Sequence, residues 1–165
     1  MISAQQAYNK IIGLLDKHGA EYKLFNHRVA LTYEDLAAVQ KETGFVGTEG
    51  KCLVLKCDNN FIVYITIQGQ RVNLQRITEV VGVKKVQLAN AEDLKNQFDA
   101  LPGCAYPFGF DESVNIYIDP VIYSQEWFLF SPAVPNATIQ VRGIDLKMIF
   151  DNLPNKVKEV IDFNI

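Results

Sequence analysis

The chain has 165 residues, 48% hydrophobic and 21% charged, a balance that excludes wholesale disorder and fits one domain of the usual roughly 100–200 residues. Sixteen Lys and Arg against 19 Asp and Glu leave a net charge of −3, which argues against nucleic-acid affinity driven by bulk positive charge. No apolar run reaches the roughly 18 residues of a membrane span, and the start Met1-Ile2-Ser3-Ala4-Gln5 lacks the basic and apolar regions of a signal peptide. Cys52, Cys57 and Cys104 are an odd number and exclude a full disulfide framework, so a reducing cytoplasm is the expected location.

In chain order, Ser3-Ala4-Gln5-Gln6 reads as a capping box, after which Ala7, Ile11, Leu14 and Leu15 recur at helical spacing up to a C-terminal cap at Gly19. Tyr22–Asn26 reads as a short strand. Thr32-Tyr33-Glu34-Asp35 opens a second helix that stops near Gly44. Lys51–Cys57 and Phe61–Ile67 are β-rich runs joined at Asp58-Asn59-Asn60, a hairpin signal. A helix over Leu74–Val81, a strand at Val86–Ala89 and a helix from Asn90 to about Phe98 follow. Pro102-Gly103-Cys104-Ala105-Tyr106-Pro107-Phe108-Gly109 is a turn-rich loop too apolar for a flexible linker. Strands are expected over Val114–Asp119, Trp127–Phe130 and Thr138–Val141, then a helix from Asp145 and a last helical turn or two within residues 154–165. Strands interrupted irregularly by helices, with no repeat or linker, predict one domain over residues 1–165. The expected fold is α+β, a mixed sheet curved toward a partial barrel and flanked by helices.

Charge is unevenly spread. Residues 1–95 hold 12 Lys and Arg against 10 Asp and Glu, residues 96–165 hold 4 against 9, and residues 96–141 contain no cation at all. A polyanionic partner is therefore expected to meet the first half, with Lys23, Arg28, Lys41, Arg71 and Arg76 as candidate contacts.

Several chemistries fall away on spacing. Gly44–Cys52 is not a phosphate loop: Phe45 stands where G-x-x-x-x-G-K-[ST] needs its first glycine, Cys52 replaces the metal-binding hydroxyl, and a strand follows where a helix should. Of the two histidines, His18 falls in the last turn of the first helix, where a cation suits the dipole. There is no C-x-x-C, H-E-x-x-H or G-x-S-x-G, and Ser3, Ser113, Ser124 and Ser131 lie in no nucleophile elbow. Cys52 and Cys57, five apart on a strand, point to opposite faces. Neither a metal site nor a cofactor is expected, and an enzyme built on this chain must catalyse something easy with few groups.

Three features remain: Gly50-Lys51-Cys52-Leu53, a lysine at the mouth of a core strand; Gly103-Cys104-Ala105-Tyr106-Pro107-Phe108-Gly109; and Phe130-Ser131-Pro132-Ala133-Val134-Pro135-Asn136-Ala137-Thr138, leading to Asp145-Leu146. With the Thr32-x-Glu34 helix start and Arg71-Val72-Asn73-Leu74, this ordered set resembles the YbaK/prolyl-tRNA-synthetase-associated editing domain family of aminoacyl-tRNA deacylases. The resemblance covers roughly residues 4–150 and is nearest to free-standing editors that remove alanine from tRNA(Pro). The chain departs from the family pattern at His27-Arg28, where His-Pro is usual, at Asn73, where Asp is usual, and at Ser131-Pro132, where the alanine-specific branch has His-Pro.

What the resemblance implies is hydrolysis of the ester joining a wrong, small amino acid to the tRNA 3′-adenosine, with Lys51 and Gly103 as the catalytic pair. Lys51 would hold the terminal adenosine or its phosphate, and the Gly103 loop would offer backbone N–H groups to the aminoacyl carbonyl. Thr32, Pro107, Phe108, Gly109, Ser131, Pro132 and Asn136 would border the substrate. The partners implied are an aminoacylated tRNA and, beyond it, a prolyl-tRNA synthetase; neither DNA nor a membrane is expected. A synthetase pocket made for proline discriminates poorly against smaller side chains, since each missing methylene removes only about 1–3 kcal/mol, so a second, smaller pocket can remove the error. Two other readings stay open: a non-catalytic module that holds a tRNA end or a nucleotide, and an editor of cysteine- or serine-charged tRNA.

Overall fold

A long hairpin is the spine of the molecule, whose computed structural model describes residues 2–161. Strand β2 (Thr48–Cys57) pairs antiparallel with β3 (Asn60–Ile67) in continuous register from Gly50↔Ile67 to Cys57↔Asn60. The turn between them puts Asp58 at a φ of 51°, the left-handed region that aspartate tolerates better than most residues.

Three further elements precede the hairpin: α1 (Ala4–Lys17), β1 (Tyr22–Asn26) and α2 (Tyr33–Thr43). After it come α3 (Leu74–Val81), β4 (Val86–Leu88), α4 (Ala91–Phe98), β5 (Asn115–Ile118), a 3-10 turn (Pro120–Ser124), β6 (Trp127–Phe130), β7 (Ala137–Arg142), α5 (Gly143–Asp151) and β8 (Val157–Glu159). Among the described residues the eight strands form one mixed sheet in the order β1-β7-β6-β2-β3-β5-β8, with β4 branching from β2. Its ends, β1 and β8, do not pair, so the sheet stays open and does not close into a barrel. None of the described helices is long and apolar enough to cross a membrane.

Helix ends follow the local chemistry. Reciprocal capping boxes start α1 (Ser3 with Gln6), α2 (Thr32 with Asp35) and α4 (Asn90 with Asp93), and Asn73 caps α3. Gly44 and Gly82 end α2 and α3 in the left-handed conformation. The apolar stripe of α1 (Ala7, Ile11, Leu15) joins Phe98, Phe128, Phe130, Leu146 and Phe150 in the main core. A second cluster, including Leu55, Tyr64 and Ile77, packs α3 against the hairpin, and a third seats α2 through Leu36 and Val39 on Phe45 and Leu129.

The structure departs from the sequence-based expectation in four places. Strand β2 starts at Thr48, three residues before the expected Lys51, because β6 pairs with Thr48 and Glu49. The segment expected to be a helical turn or two after residue 154 forms β8, because β5 has a free edge and takes Val157 opposite Ile116 in parallel register; residues 162–165 lie outside the described residues. Helix α5 begins at Gly143, before Asp145, whose carboxylate accepts the Glu21 N–H at 2.9 Å from across the fold. The 3-10 turn at Pro120–Ser124, started by Asp119 accepting from Val121 N–H, was not foreseen.

Candidate active site

The cavity arises from a fork in the sheet. On the edge of β2 away from β3, β6 pairs in parallel with Thr48 and Glu49, whereas β4 pairs with Leu55–Cys57. Between these two partners Gly50–Leu53 have no strand on that edge. Their backbone and side chains form the floor of a cavity of about 450 Å³. Leu88 and Ala89 close it on the β4 side, Phe130 and Ser131 on the β6 side, and the start of α2 and the loop at Pro102–Ala105 form the remaining walls. Leu31, Tyr33 and Leu88, which are 38%, 41% and 55% exposed, give it an apolar rim.

Four of the residues picked from sequence meet here: Thr32, Lys51, Gly103 and Ser131 all line the cavity. Lys51 Nζ donates to the Gln70 carbonyl at 2.8 Å, an anchor that holds the ammonium at the wall. Thr32 is occupied as the α2 cap, its hydroxyl accepting from Asp35 N–H at 3.0 Å. Ser131 is only 8% exposed, yet its hydroxyl makes no hydrogen bond to any of the described residues and is available to a ligand.

Gly103 is required by its surroundings. Its φ is +86°, and a Cβ there would collide with the carbonyl oxygen of Leu31. A side chain is thus forbidden first by the approach of the loop to the α2 entry segment. The turn is closed by Cys104 N–H donating to the Leu101 carbonyl at 3.0 Å. Among the described residues no hydrogen bond uses the N–H of Gly103 or of Ala105, and both residues line the cavity. Unused backbone donors at a cavity wall are the raw material of an oxyanion site.

The other sequence candidates lie outside the lining. Pro107 is buried, Phe108 is fully buried with ring contacts to Phe130 (5.5 Å) and Phe150 (5.7 Å), and Gly109 (φ +103°) packs beside Ile11 of α1. Pro132 is buried next to Ser131, and Asn136 is exposed, its carbonyl accepting the His27 N–H at 2.9 Å. Of the candidate tRNA contacts, Arg28 and Arg76 are engaged in ion pairs with Glu42 and Glu79, both at 3.2 Å. Lys23, Lys41 and Arg71 are exposed and form no ion pair with any of the described residues.

Neither histidine lines the cavity. His18 caps α1. His27 Nδ1 lies 2.6 Å from the Arg28 carbonyl and must donate to it, so a neutral ring accepts from the Thr138 hydroxyl, 2.8 Å away, through Nε2. The thiols are poor nucleophiles: burial pushes Cys57 and Cys104 up to about 11, and pushes Cys52, which lines the cavity, well above the usual thiol range, with Glu49 adding to the effect. Among the described residues no His, Cys, Asp and Glu side chains gather as a metal site would need.

Sequence reasoning passed over two groups. Tyr33 lines the cavity and donates from its hydroxyl to the Gly50 carbonyl at 3.3 Å; burial first, then Cys52 and Glu49, pushes the phenol up to about 12. Glu49 also lines the cavity; burial pushes its carboxyl up to about 7, and its Oε1 is buried without a hydrogen-bond partner. The available signal was the register of the strand: Glu49 sits two residues before Lys51 on a strand whose mouth faces a site.

Comparison with known proteins bears on family and fold. A family model described as the aminoacyl-tRNA editing domain matches residues 27–149. The proline–tRNA ligase of Staphylococcus epidermidis is 29% identical over 69 residues, 42% of this chain and 12% of the ligase. That of Bacillus cytotoxicus is 26% identical over 92 residues, 53% of this chain and 16% of the ligase. The chain thus spans less than a fifth of the length of these curated relatives. Among solved structures, the hypothetical protein APE2540 superposes with a TM-score of 0.74 at 17% identity, covering 92% of this chain and 98% of that one. A protein described as a candidate trans-editing enzyme for prolyl tRNA synthetase superposes with a TM-score of 0.70 at 16% identity, covering 96% and 97%. These two likenesses establish a common fold.

Proposed function

The chain belongs to the aminoacyl-tRNA editing domain family, and from that premise we propose that it is a deacylase acting in trans on mischarged tRNA(Pro), with alanine as the first-choice amino acid. The observation that carries this reading is the meeting of Lys51, Gly103 and Ser131 in one cavity, lined also by Gly103 and Ala105, whose N–H groups bond to none of the described residues. Lys51 and Gly103 take the catalytic roles.

The reaction asks little of the protein. Water adds to the ester carbonyl, negative charge develops on the carbonyl oxygen, and the bond to the ribose oxygen breaks as that oxygen takes a proton. Free amino acid and an uncharged tRNA result. An aminoacyl ester is already activated, and the vicinal ribose hydroxyl can position the water, so orientation and oxyanion stabilisation suffice. In this reading the Gly103 and Ala105 N–H groups face the carbonyl oxygen. Lys51, anchored on Gln70, meets the ribose or phosphate side, and the apolar rim of Leu31, Tyr33 and Leu88 takes the adenine. The absence of histidine and of a reactive thiol from the lining accords with a reaction that needs no side-chain nucleophile.

Ser131 borders the amino-acid pocket, and its unbonded hydroxyl favours a second substrate, serine, whose side chain can bond to it. Single-turnover deacylation of Ala-, Ser-, Cys- and Pro-charged tRNA(Pro) tests both readings. The expected result is fast hydrolysis of a small aminoacyl ester with Pro-tRNA(Pro) spared. Hydrolysis of Pro-tRNA(Pro) at a comparable rate overturns size exclusion, and no hydrolysis of any ester overturns the deacylase.

A further inference from the structure

Resting on the editing reading above, we propose that Glu49 receives the α-ammonium group of the aminoacyl ester and so makes a free amino group a condition of binding.

Among the described residues the fold leaves Oε1 of the Glu49 carboxyl without a partner. Glu49 stands on β2 where β6 covers it, paired through the backbone with Leu129 and accepting the Gln68 N–H at its carbonyl at 2.9 Å. Those contacts use its main chain only. Its Oε1 is buried with no hydrogen bond to any of the described residues, and the residue itself lines a cavity sized for a ligand. Burying a carboxyl without a donor costs free energy, and a carboxylate in that state seeks a cation.

No cation among the described residues meets that need. Lys51, the nearest in sequence, is turned to the Gln70 carbonyl. The titratable groups close to Glu49 are Tyr33, from α2, and Cys52, from β2 itself, and burial holds both in their neutral forms. Strand β6, packed against it, offers only Trp127, Phe128, Leu129 and Phe130. The carboxyl titrates high because of desolvation alone.

The substrate brings what the cavity lacks. Every aminoacyl ester carries an ammonium one carbon from its carbonyl, whatever its side chain. A carboxylate in the same cavity as the carbonyl site therefore recognises the class, while Ser131 and its neighbours sort side chains within it. The same requirement excludes esters whose nitrogen is acylated, because an amide nitrogen is neutral and cannot repay desolvation of the carboxylate. An editor with this device spares peptidyl-tRNA.

The test uses two stable analogues, 3′-deoxy-3′-(L-alanylamino)adenosine and its N-acetyl derivative, titrated calorimetrically into wild type, Glu49→Gln and Glu49→Asp, alongside deacylation of Ala-tRNA(Pro) and N-acetyl-Ala-tRNA(Pro). Wild type should bind the free amine about 10- to 100-fold more tightly than the acetylated analogue, the span of a charged hydrogen bond. Glu49→Gln should bind the two equally, and Glu49→Asp should keep a preference for the amine. Equal binding by wild type, or an undiminished preference in Glu49→Gln, overturns the proposal even if Ala-tRNA(Pro) is hydrolysed. A preference dependent on Glu49 in a protein that hydrolyses no ester upholds the proposal and overturns the deacylase.

Discussion

The loop from Gly103 to Gly109 is continuous in sequence but divided in the structure. Its front half, Gly103 and Ala105, lines the cavity, and the N–H groups of both bond to none of the described residues. Its back half is core: Tyr106 and Phe108 are 1% and 0% exposed, and Tyr106 stacks at 4.4 Å on the buried Phe110 just after the loop. The back half is a rigid mount and the front half is what it mounts. A string of glycine, proline and aromatics thus mixes residues that hold the fold with residues that line a cavity, and the two should fail differently.

The sharpest way to break that division is Phe108→Ala. It empties a fully buried aromatic site and should cost about 3–5 kcal/mol in urea unfolding, with any activity loss following the loss of folded protein. A cost under about 1 kcal/mol would mean the back half is not a mount. Gly103→Ala comes next, at about 2–3 kcal/mol, because a left-handed φ and the Leu31 carbonyl both oppose a Cβ. Since it damages fold and site together, its folded fraction must be measured beside its turnover, and full stability would contradict the packing described.

Glu49→Gln has the opposite sign. The native carboxyl titrates near 7 against an ordinary 4.5, so the native state holds its proton more tightly than the unfolded chain does. Stability present at low pH is lost as pH rises between these values and levels off above about 7. The amide should therefore match wild type near pH 4 and exceed it by on the order of 2 kcal/mol at pH 8 in chemical denaturation. A pH-independent difference would place Glu49 in water. The smallest effects concern Lys23, Lys41 and Arg71: each neutralisation should change stability by less than about 0.5 kcal/mol and reduce the log–log salt slope of tRNA binding by about 1. Neutralising the paired Arg28 and Arg76 should change the slope less. Equal slopes for both sets would place the tRNA on another face.

Much of this was legible locally. Ser3, Thr32, Asn73 and Asn90 announce helices through side chains that bond the next turn, and Tyr22–Asn26, Leu74–Val81 and Trp127–Phe130 have the bounds expected from sequence. Lys51, Gly103 and Ser131 were found through a family pattern and fall on one cavity. What stayed hidden depends on distant pairing. Strand β8 exists because β5 offers an edge 41 positions back, at Ile116↔Val157, which no local propensity encodes. Glu49 resembles a solvated residue in a Gly-Thr-Glu-Gly turn until β6 crosses beside it. The division of the Gly103–Gly109 loop was likewise invisible, since glycine and proline mark a turn but not which side of it faces a cavity.

If the gap in β2 between its two edge partners is a deacylation site, Lys51 must act in it. Single-turnover hydrolysis of Ala-tRNA(Pro) by wild type and Lys51→Ala, with urea unfolding of both, tests it most directly. The expected rate for Lys51→Ala is lower by about 100-fold or more, with stability changed by no more than the roughly 1 kcal/mol of the lost bond to Gln70. Wild-type turnover by a folded Lys51→Ala protein would contradict it.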